Sequence, residues 1–95
     1  MDGIEEFSAK WIRCALPYRQ YQLEVFFAYN FDPKLINGKN IIIYDQPKEQ
    51  WWFLEKVEVL NFDDDARRLW CHFDCIRRSL FLDKPSNDDI LKELI

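Results

Sequence analysis

The sequence contains few of the residues on which active sites and cross-linked folds depend. Its 95 residues include two glycines, one histidine and three cysteines. No glycine-rich phosphate loop is present, and the serines lie in no recognisable nucleophile setting. An odd number of cysteines does not make a closed disulfide framework, and free thiols are the default in a reducing compartment. The sequence therefore predicts a cytoplasmic protein that is not an enzyme and has no cofactor.

Two further absences narrow the range of partners. No run of about 18 consecutive apolar residues occurs, and the segment MDGIEEFSAK has acidic residues where a signal peptide is basic. The net charge is −4, whereas a protein that holds phosphate backbones needs an excess of Lys and Arg. We therefore expect no membrane association, and we expect another protein rather than nucleic acid as the partner.

Apolar and aromatic residues are abundant instead. Hydrophobic residues make up 48% of the chain and aromatic residues 17%. This content is sufficient for one core, and it predicts a single domain over residues 1–95. A globule of this size cannot bury every large ring. We expect part of the aromatic surface to face a partner.

Hydrophobic periodicity predicts helices at both ends of the chain. Over residues 3–15, apolar side chains recur at helical spacing, with Glu5 and Glu6 in the first turn. In PSNDDILKELI, Ser86 is an N-cap with Asp89 three positions later, which is a capping-box pattern. Each segment is interpreted as a short amphipathic helix.

The middle of the chain predicts strands. In QYQLEVFFAYNF, apolar residues alternate with polar ones, which is typical of a half-buried strand. The pair Asn37-Gly38 suits a turn and the β-branched run KNIIIYD follows it, so these segments predict an antiparallel hairpin. After Pro47, QWWFLEKVEVLNF also fits a strand better than a helix.

The apolar pattern of residues 66–82 fits both the helical period and the strand period, and it fits the helical period better. One stripe of a helical wheel contains Ala66, Leu69, Trp70, Phe73, Ile76, Leu80 and Phe81. As a strand, residues 69–75 alternate well, but the pattern breaks at Ile76 and Arg77. The predicted fold is α+β: a small antiparallel sheet of three or four strands, an N-terminal helix, a longer helix near 66–82 and a short C-terminal helix. An SH3-like β-barrel with terminal helices is the alternative if residues 66–82 form a strand.

The segment WCHFDC decides what the cysteines can do. In a helix, Cys71 and Cys75 lie one turn apart and a metal ion can bridge them. In a strand they lie about 13 Å apart, and His72 points to the opposite face. A structural zinc site needs four ligands, so it would also have to use Cys14. Ordinary packing is the preferred interpretation, and zinc binding or thiol redox chemistry is a lesser alternative.

Arginine and tryptophan residues supply candidate binding side chains. Arg67/Arg68 and Arg77/Arg78 flank Trp70, a combination that can bind single-stranded nucleic acid by stacking and phosphate contacts. The preferred interpretation is that these arginines pair with acidic residues four positions away along a helix. Trp51 and Trp52 are adjacent, so in a strand one of them leaves the main core face.

These features favour a protein-binding function. Aromatic and Arg side chains dominate protein interfaces. The candidate partner-binding residues are Trp51, Trp52, Arg67, Trp70, Arg78, Asp63, Asp64 and Asp65. The preferred hypothesis is a small acidic inhibitor or adaptor that presents these acids, with Glu5/Glu6 and Asp88/Asp89, to a basic site of its partner. Single-stranded nucleic-acid binding is the alternative from another class, and self-association into a homo-oligomer stays open.

Overall fold

Strands make up most of the computed structural model, which describes residues 4–15, 20–65 and 68–94. Within these residues it has seven strands, a short 3₁₀ helix at Pro33–Ile36 and one α-helix. The strands are β1 (Glu5–Cys14), β2 (Gln22–Phe27), β3 (Ile41–Asp45), β4 (Gln50–Glu55), β5 (Glu58–Asp65), β6 (Arg68–Asp74) and β7 (Arg77–Phe81), and the helix is α1 (Asn87–Leu94). No helix in this part of the chain is long and apolar enough to cross a membrane.

The seven strands form one mixed sheet in the order β5-β6-β2-β1-β3-β4-β7. β1 is the central strand, and it pairs parallel with β3 and antiparallel with β2. The other neighbouring pairs are antiparallel. The first strand of the chain is therefore the centre of the sheet, and β5 and β7 are its two ends.

The sheet curls until strands that are far apart in its order come into contact. The Arg78 guanidinium of β7 lies 3.5 Å from Cys14 Sγ at the end of β1, although β3 and β4 lie between these strands. The N–H of Ile76, which follows β6, donates at 2.9 Å to the carbonyl of Glu55 at the end of β4. A flat sheet separates neighbouring strands by about 4.8 Å, so these contacts require strong curvature. The curl closes the inner face of the sheet around a core.

Two apolar clusters hold this arrangement together. The larger cluster fills the inner face with buried residues from β1, β2, β3, β4 and β6, and in it the ring centroids of Phe27 and Phe73 are 5.9 Å apart. The smaller cluster lies on the other side of the sheet, where Ile42 of β3 and Phe53 of β4 pack with Ile90 of α1. The helix thus covers the outer face at one end, and it leaves the outer face of β1, β2 and β6 uncovered by α1.

The predicted helix near residues 66–82 is wrong, because the chain forms β6 and β7 there. Leu69, Cys71 and Phe73 alternate into the core with no exposed surface. The break in alternation at Ile76 and Arg77 lies where the connection between the two strands ends and β7 begins. Residues 66 and 67 lie outside the described residues. Two strands joined without Gly or Pro therefore imitate one long amphipathic helix.

The predicted N-terminal helix is also wrong, because that segment is β1. The pairing of β1 with β2 shifts between Ala9 and Trp11, which marks a β-bulge. As a result the buried residues Phe7, Ala9 and Ile12 are spaced first by two and then by three. One inserted residue makes the alternation of a strand resemble helical spacing.

The remaining sequence predictions are correct in part. β2 and β3 are strands as predicted, but β1 lies between them, so their hairpin does not form. The segment after Pro47 forms two strands, β4 and β5, at nearly opposite ends of the strand order. The fold is therefore mostly β with one C-terminal helix, in place of a sheet of three or four strands with three helices. An SH3-like barrel with terminal helices is not formed either, because the N-terminal segment is the central strand.

The C-terminal helix is confirmed together with its capping box. Ser86 Oγ accepts the backbone N–H of Asp89 at 3.2 Å, and the Asp89 carboxylate accepts the N–H of Ser86 at 2.9 Å. These two bonds satisfy backbone donors that the first turn of α1 cannot pair internally. They also hold the pKa of Asp89 below its ordinary value.

Candidate binding face

A row of aromatic side chains crosses the outer face of β1, β2 and β6. Cross-strand pairing places Trp11 opposite Phe26, Phe26 opposite Trp70, and Trp70 opposite Asp63 of β5. Directly opposed residues in antiparallel strands project from the same side of the sheet. The residues next to them along β2 and β6 fill the inner core, so the row lies on the side that faces away from it.

Two rings of this row contact each other and two cations. The Trp11 and Phe26 rings are stacked, with centroids 5.6 Å apart and planes inclined by 11°. The guanidinium carbon of Arg13 lies 4.5 Å from the Trp11 ring centroid, and the Lys10 ammonium lies 5.9 Å from that of Phe26. Trp11, Phe26 and Trp70 all remain partly exposed. Rings that are held in place and still accessible are suited to contact a partner with little loss of entropy.

A polar row lies beside the aromatic one. Here Arg13 is opposite Glu24, Glu24 is opposite His72, and His72 is opposite Asn61. Arg13 Nη2 and Glu24 Oε2 form an ion pair at 2.7 Å, and the His72 ring lies 6.4 Å from the Trp70 ring. We call the surface formed by Lys10, Trp11, Arg13, Phe26, Trp70 and His72 the aromatic face.

The tryptophans singled out in the sequence lie in three different places. Trp70 belongs to the aromatic face. Trp52 lies on the inner side of β4, where its Nε1–H donates to the buried Asp45 carboxylate at 3.3 Å. Trp51 packs against the smaller cluster beside α1, and its ring centroid is 5.0 Å from that of Tyr44. Adjacent residues of a strand thus contact two different apolar clusters.

Among the arginine candidates for nucleic-acid binding, Arg77 and Arg78 lie on a different strand from Trp70. Arg78 lies on β7 and Trp70 on β6, which are separated in the sheet by four other strands. Arg77 forms an ion pair with Glu55 at 3.7 Å, and Phe73 is fully buried. Arg67 lies outside the described residues. Arg77 and Arg78 therefore come from a strand that does not pair with the strand of Trp70.

The acidic candidates lie on three elements. Asp63, Asp64 and Asp65 are exposed at the end of β5. In the N-terminal patch, Lys39 Nζ lies 3.7 Å from Glu5, and Lys84 forms an ion pair with Glu6. In the C-terminal patch, the Asp89 carboxylate is part of the capping box. Glu5, Glu6 and Asp89 thus have structural partners within the chain.

The four lesser metal candidates do not point to a common centre. Cys71 and Cys75 are buried on the inner face, His72 belongs to the outer face, and Cys14 is exposed at the end of β1. Over residues 4–15, 20–65 and 68–94, no three His, Cys, Asp or Glu side chains are grouped so that they can hold a metal ion. The geometry gives a zinc site no support.

Both buried cysteines are held in the thiol form. Burial raises the pKa of Cys71 to about 12, with a further contribution from the negative charge of Asp64. Burial likewise raises the pKa of Cys75 to about 11, and its Sγ donates to the carbonyl of Tyr21 at 3.2 Å. Because the thiolate is the nucleophile in thiol exchange, this environment does not favour redox chemistry at neutral pH.

The sequence interpretation missed most of the aromatic face. Phe26 is the available signal, because it occupies a position where the alternation of β2 calls for a polar residue. Trp11, Lys10 and Arg13 cannot be assigned to this face until the bulge in β1 is known.

Comparisons of the chain with protein-family models, curated proteins and solved structures find no match. The geometry of the surface therefore supplies the indications of function. Two features of that surface are relevant, namely the aromatic face and the outer edge of β5.

Proposed function

We propose that the chain is a non-enzymatic protein of the cytoplasm that binds another protein through its aromatic face. The observation that carries the proposal is the row of Trp11, Phe26 and Trp70 on the outer side of the sheet. The solvated face of an antiparallel sheet is ordinarily polar. Large aromatic side chains flanked by Arg are the typical anchors of protein interfaces.

The charges around the row favour a protein over nucleic acid. Asp63 lies at one end of the aromatic row, and Arg13 at the other end is already paired with Glu24. A phosphate backbone would approach these carboxylates unfavourably, and the net charge of −4 adds to the repulsion. A protein partner with apolar and basic residues complements the same surface. Carboxylates at the rim then increase the association rate and the specificity.

A partner bound in this way has one of its surfaces covered and undergoes no chemical change. Three strands present the row as a rigid surface, so docking requires little rearrangement of the chain. An inhibitor or adaptor acts by such occupancy. The three free cysteines fit the reducing conditions of the cytoplasm.

The proposal is tested by site-specific photocrosslinking in an extract of the host. Benzoylphenylalanine replaces His72 on the aromatic face or, as a matched control, Lys48 in an exposed turn. We expect a discrete protein adduct from position 72 and none from position 48. The partner is then purified, and Trp70→Thr is expected to weaken its binding about thirtyfold, the effect of losing one interface hot spot.

Three outcomes contradict the proposal. Adducts at both positions indicate non-specific contact. An adduct that nuclease treatment removes favours the nucleic-acid alternative, and binding unaffected by Trp70→Thr places the interface elsewhere. Urea unfolding of each variant establishes that it is folded before its binding is measured.

A further inference from the structure

In the part of the chain that the structure describes, β5 ends the sheet, with β6 on one side and no strand along its other edge. The beginning of this edge is covered, because the N–H of Val59 donates to Asn37 Oδ1 at 2.8 Å. Further along, the N–H of Phe62 donates to the Oδ1 of its neighbour Asn61 at 2.9 Å. Side-chain amides thus occupy two backbone donors of β5 that a neighbouring strand would otherwise bind.

A groove with both polar and apolar lining residues lies against the same edge. It has a volume of about 300 Å³ and is lined by Lys34, Asn37, Val59, Leu60, Asn61 and Phe62. Leu60 is 42% exposed and Phe62 is 37% exposed, so the groove is open to solvent. Its volume is at the lower end of the range of about 300–1,000 Å³ for small-molecule sites. It is suited to receive one or two apolar side chains of a peptide.

The charge of β5 selects among possible occupants. The strand has four acidic residues and no basic residue, EVLNFDDD. Pairing opposes Asp63 to Trp70 on the outer side and Asp64 to Leu69 on the inner side, so acids project from both sides of the strand. A second copy of β5 would bring like charges together, and charged residues on an edge strand prevent such self-pairing. A basic segment is attracted by the same charges.

We propose that the β5 edge binds an extended, basic segment of another protein by strand addition. An apolar side chain of that segment enters the groove between Lys34 and Phe62, and its Lys or Arg residues lie along Asp63, Asp64 and Asp65. The entering strand replaces the Asn61 amide as the partner of the Phe62 N–H. In strand addition the main-chain hydrogen bonds provide affinity, and side-chain pockets provide specificity. This site adjoins the aromatic face at Asp63, which lies opposite Trp70. The groove and the strand donors belong to the β5 site alone, so either proposal can fail without the other.

The test is an NMR titration of the full chain with synthetic peptides. The probe is acetyl-Leu-Val-Leu-Arg-Lys-Arg-amide, together with the reversed sequence to allow for either strand direction. A control peptide has the same side chains and N-methylated amides at alternate positions, which keeps the charge and removes the strand donors. We expect the unmethylated probe to protect the amides of Phe62 and Asp64 from hydrogen exchange, and the methylated peptide to bind at least about tenfold more weakly.

Protein variants test the contribution of the acidic residues. Asp63→Asn, Asp64→Asn and Asp65→Asn are combined in one chain, and the matched control combines Glu49→Gln, Asp83→Asn and Asp88→Asn at other exposed positions. We expect the first variant to lose about tenfold in affinity and the control to lose little.

Several results would overturn this inference. Equal binding of the methylated peptide would show that only long-range charge attraction acts. Equal losses of peptide affinity in the two charge variants would show that the total charge of the chain determines binding, and not the position of the acids on β5. Absence of binding would leave the acids of β5 with only a protective role against aggregation. Peptide-induced shifts confined to Trp11, Phe26 and Trp70 would assign the peptide to the aromatic face instead.

Discussion

The reactivity of each cysteine depends on whether its side chain is exposed or buried. Cys14 is exposed at the end of β1, whereas Cys71 and Cys75 face the inner core. In the core a thiolate would lose its hydration, and the neutral thiol is therefore favoured. The folded-state pKa of Cys71, about 12, lies above its ordinary value of 9.0. The neutral thiol thus stabilises the folded state fully below pH 9, and this contribution is lost as the pH rises towards 12.

Cys71→Ala tests this linkage. We expect the free energy of unfolding to fall less steeply between pH 9 and 11 in the variant than in the wild type, because the variant has no buried thiol to ionise at position 71. The measurement is urea unfolding at a series of pH values. Cys14→Ala is the control that removes an exposed thiol in place of a buried one. Parallel curves for all three proteins would contradict a raised pKa at Cys71.

At the scale of elements, the sequence predicts those whose local pattern is uninterrupted. β2 alternates except at Phe26, and α1 has a capping box and a short apolar stripe, so both are identified correctly. The prediction for β1 fails because one bulged residue between Ala9 and Trp11 shifts the spacing of its buried residues. The prediction for β6 and β7 fails because no Gly or Pro marks their connection at Ile76. These errors arise where long-range pairing overrides the local pattern.

The same limit explains what the sequence reveals of the candidate site. Trp70 is recognised as a binding candidate from its type and its neighbours, but the residues that accompany it are not. Trp11 and Phe26 are 15 residues apart in the chain (26 − 11). Only the pairing of β1, β2 and β6 brings them and Trp70 together. A surface that crosses strands is defined by register, and register is not contained in any single segment.

The helix offers a separate prediction at this scale. Ser86→Ala removes the Oγ that accepts the N–H of Asp89, and we expect it to lower the free energy of unfolding by about 1 kcal/mol. The loss arises because α1 must remain helical to pack Ile90 on the smaller cluster. Urea unfolding measures it, with Ser86→Thr as the control that keeps an acceptor. Equal losses in both variants would show that the cap does not stabilise α1.

At the scale of the whole molecule, three of the six described strand pairs join distant parts of the chain. β1 pairs with β3, and β2 pairs with β6 through partners such as Phe27 and Leu69, which are 42 residues apart (69 − 27). Forming such contacts requires the closure of long loops before the contacts contribute energy. The curl of the sheet adds a further non-local contact between Arg78 and Cys14.

This topology predicts slow folding for a chain of this size. We expect refolding from urea in milliseconds to seconds, the range of small proteins dominated by non-local strand pairing. Stopped-flow tryptophan fluorescence measures the rate, and double-jump experiments separate a proline phase of tens of seconds. Refolding in microseconds would contradict the non-local pairing of β1 with β3 and of β2 with β6.

The pairing of β2 with β6 also has a consequence during synthesis on the ribosome. β2 is apolar on its inner side, with Leu23, Val25 and Phe27 fully buried once the sheet is complete. Its partner β6 is translated about 40 residues later, which at about 5–20 residues per second is a delay of roughly 2–8 s. During that interval the nascent chain exposes an unpaired apolar strand to its surroundings. Protection by a chaperone would matter most in this window, before the last strands of the sheet emerge.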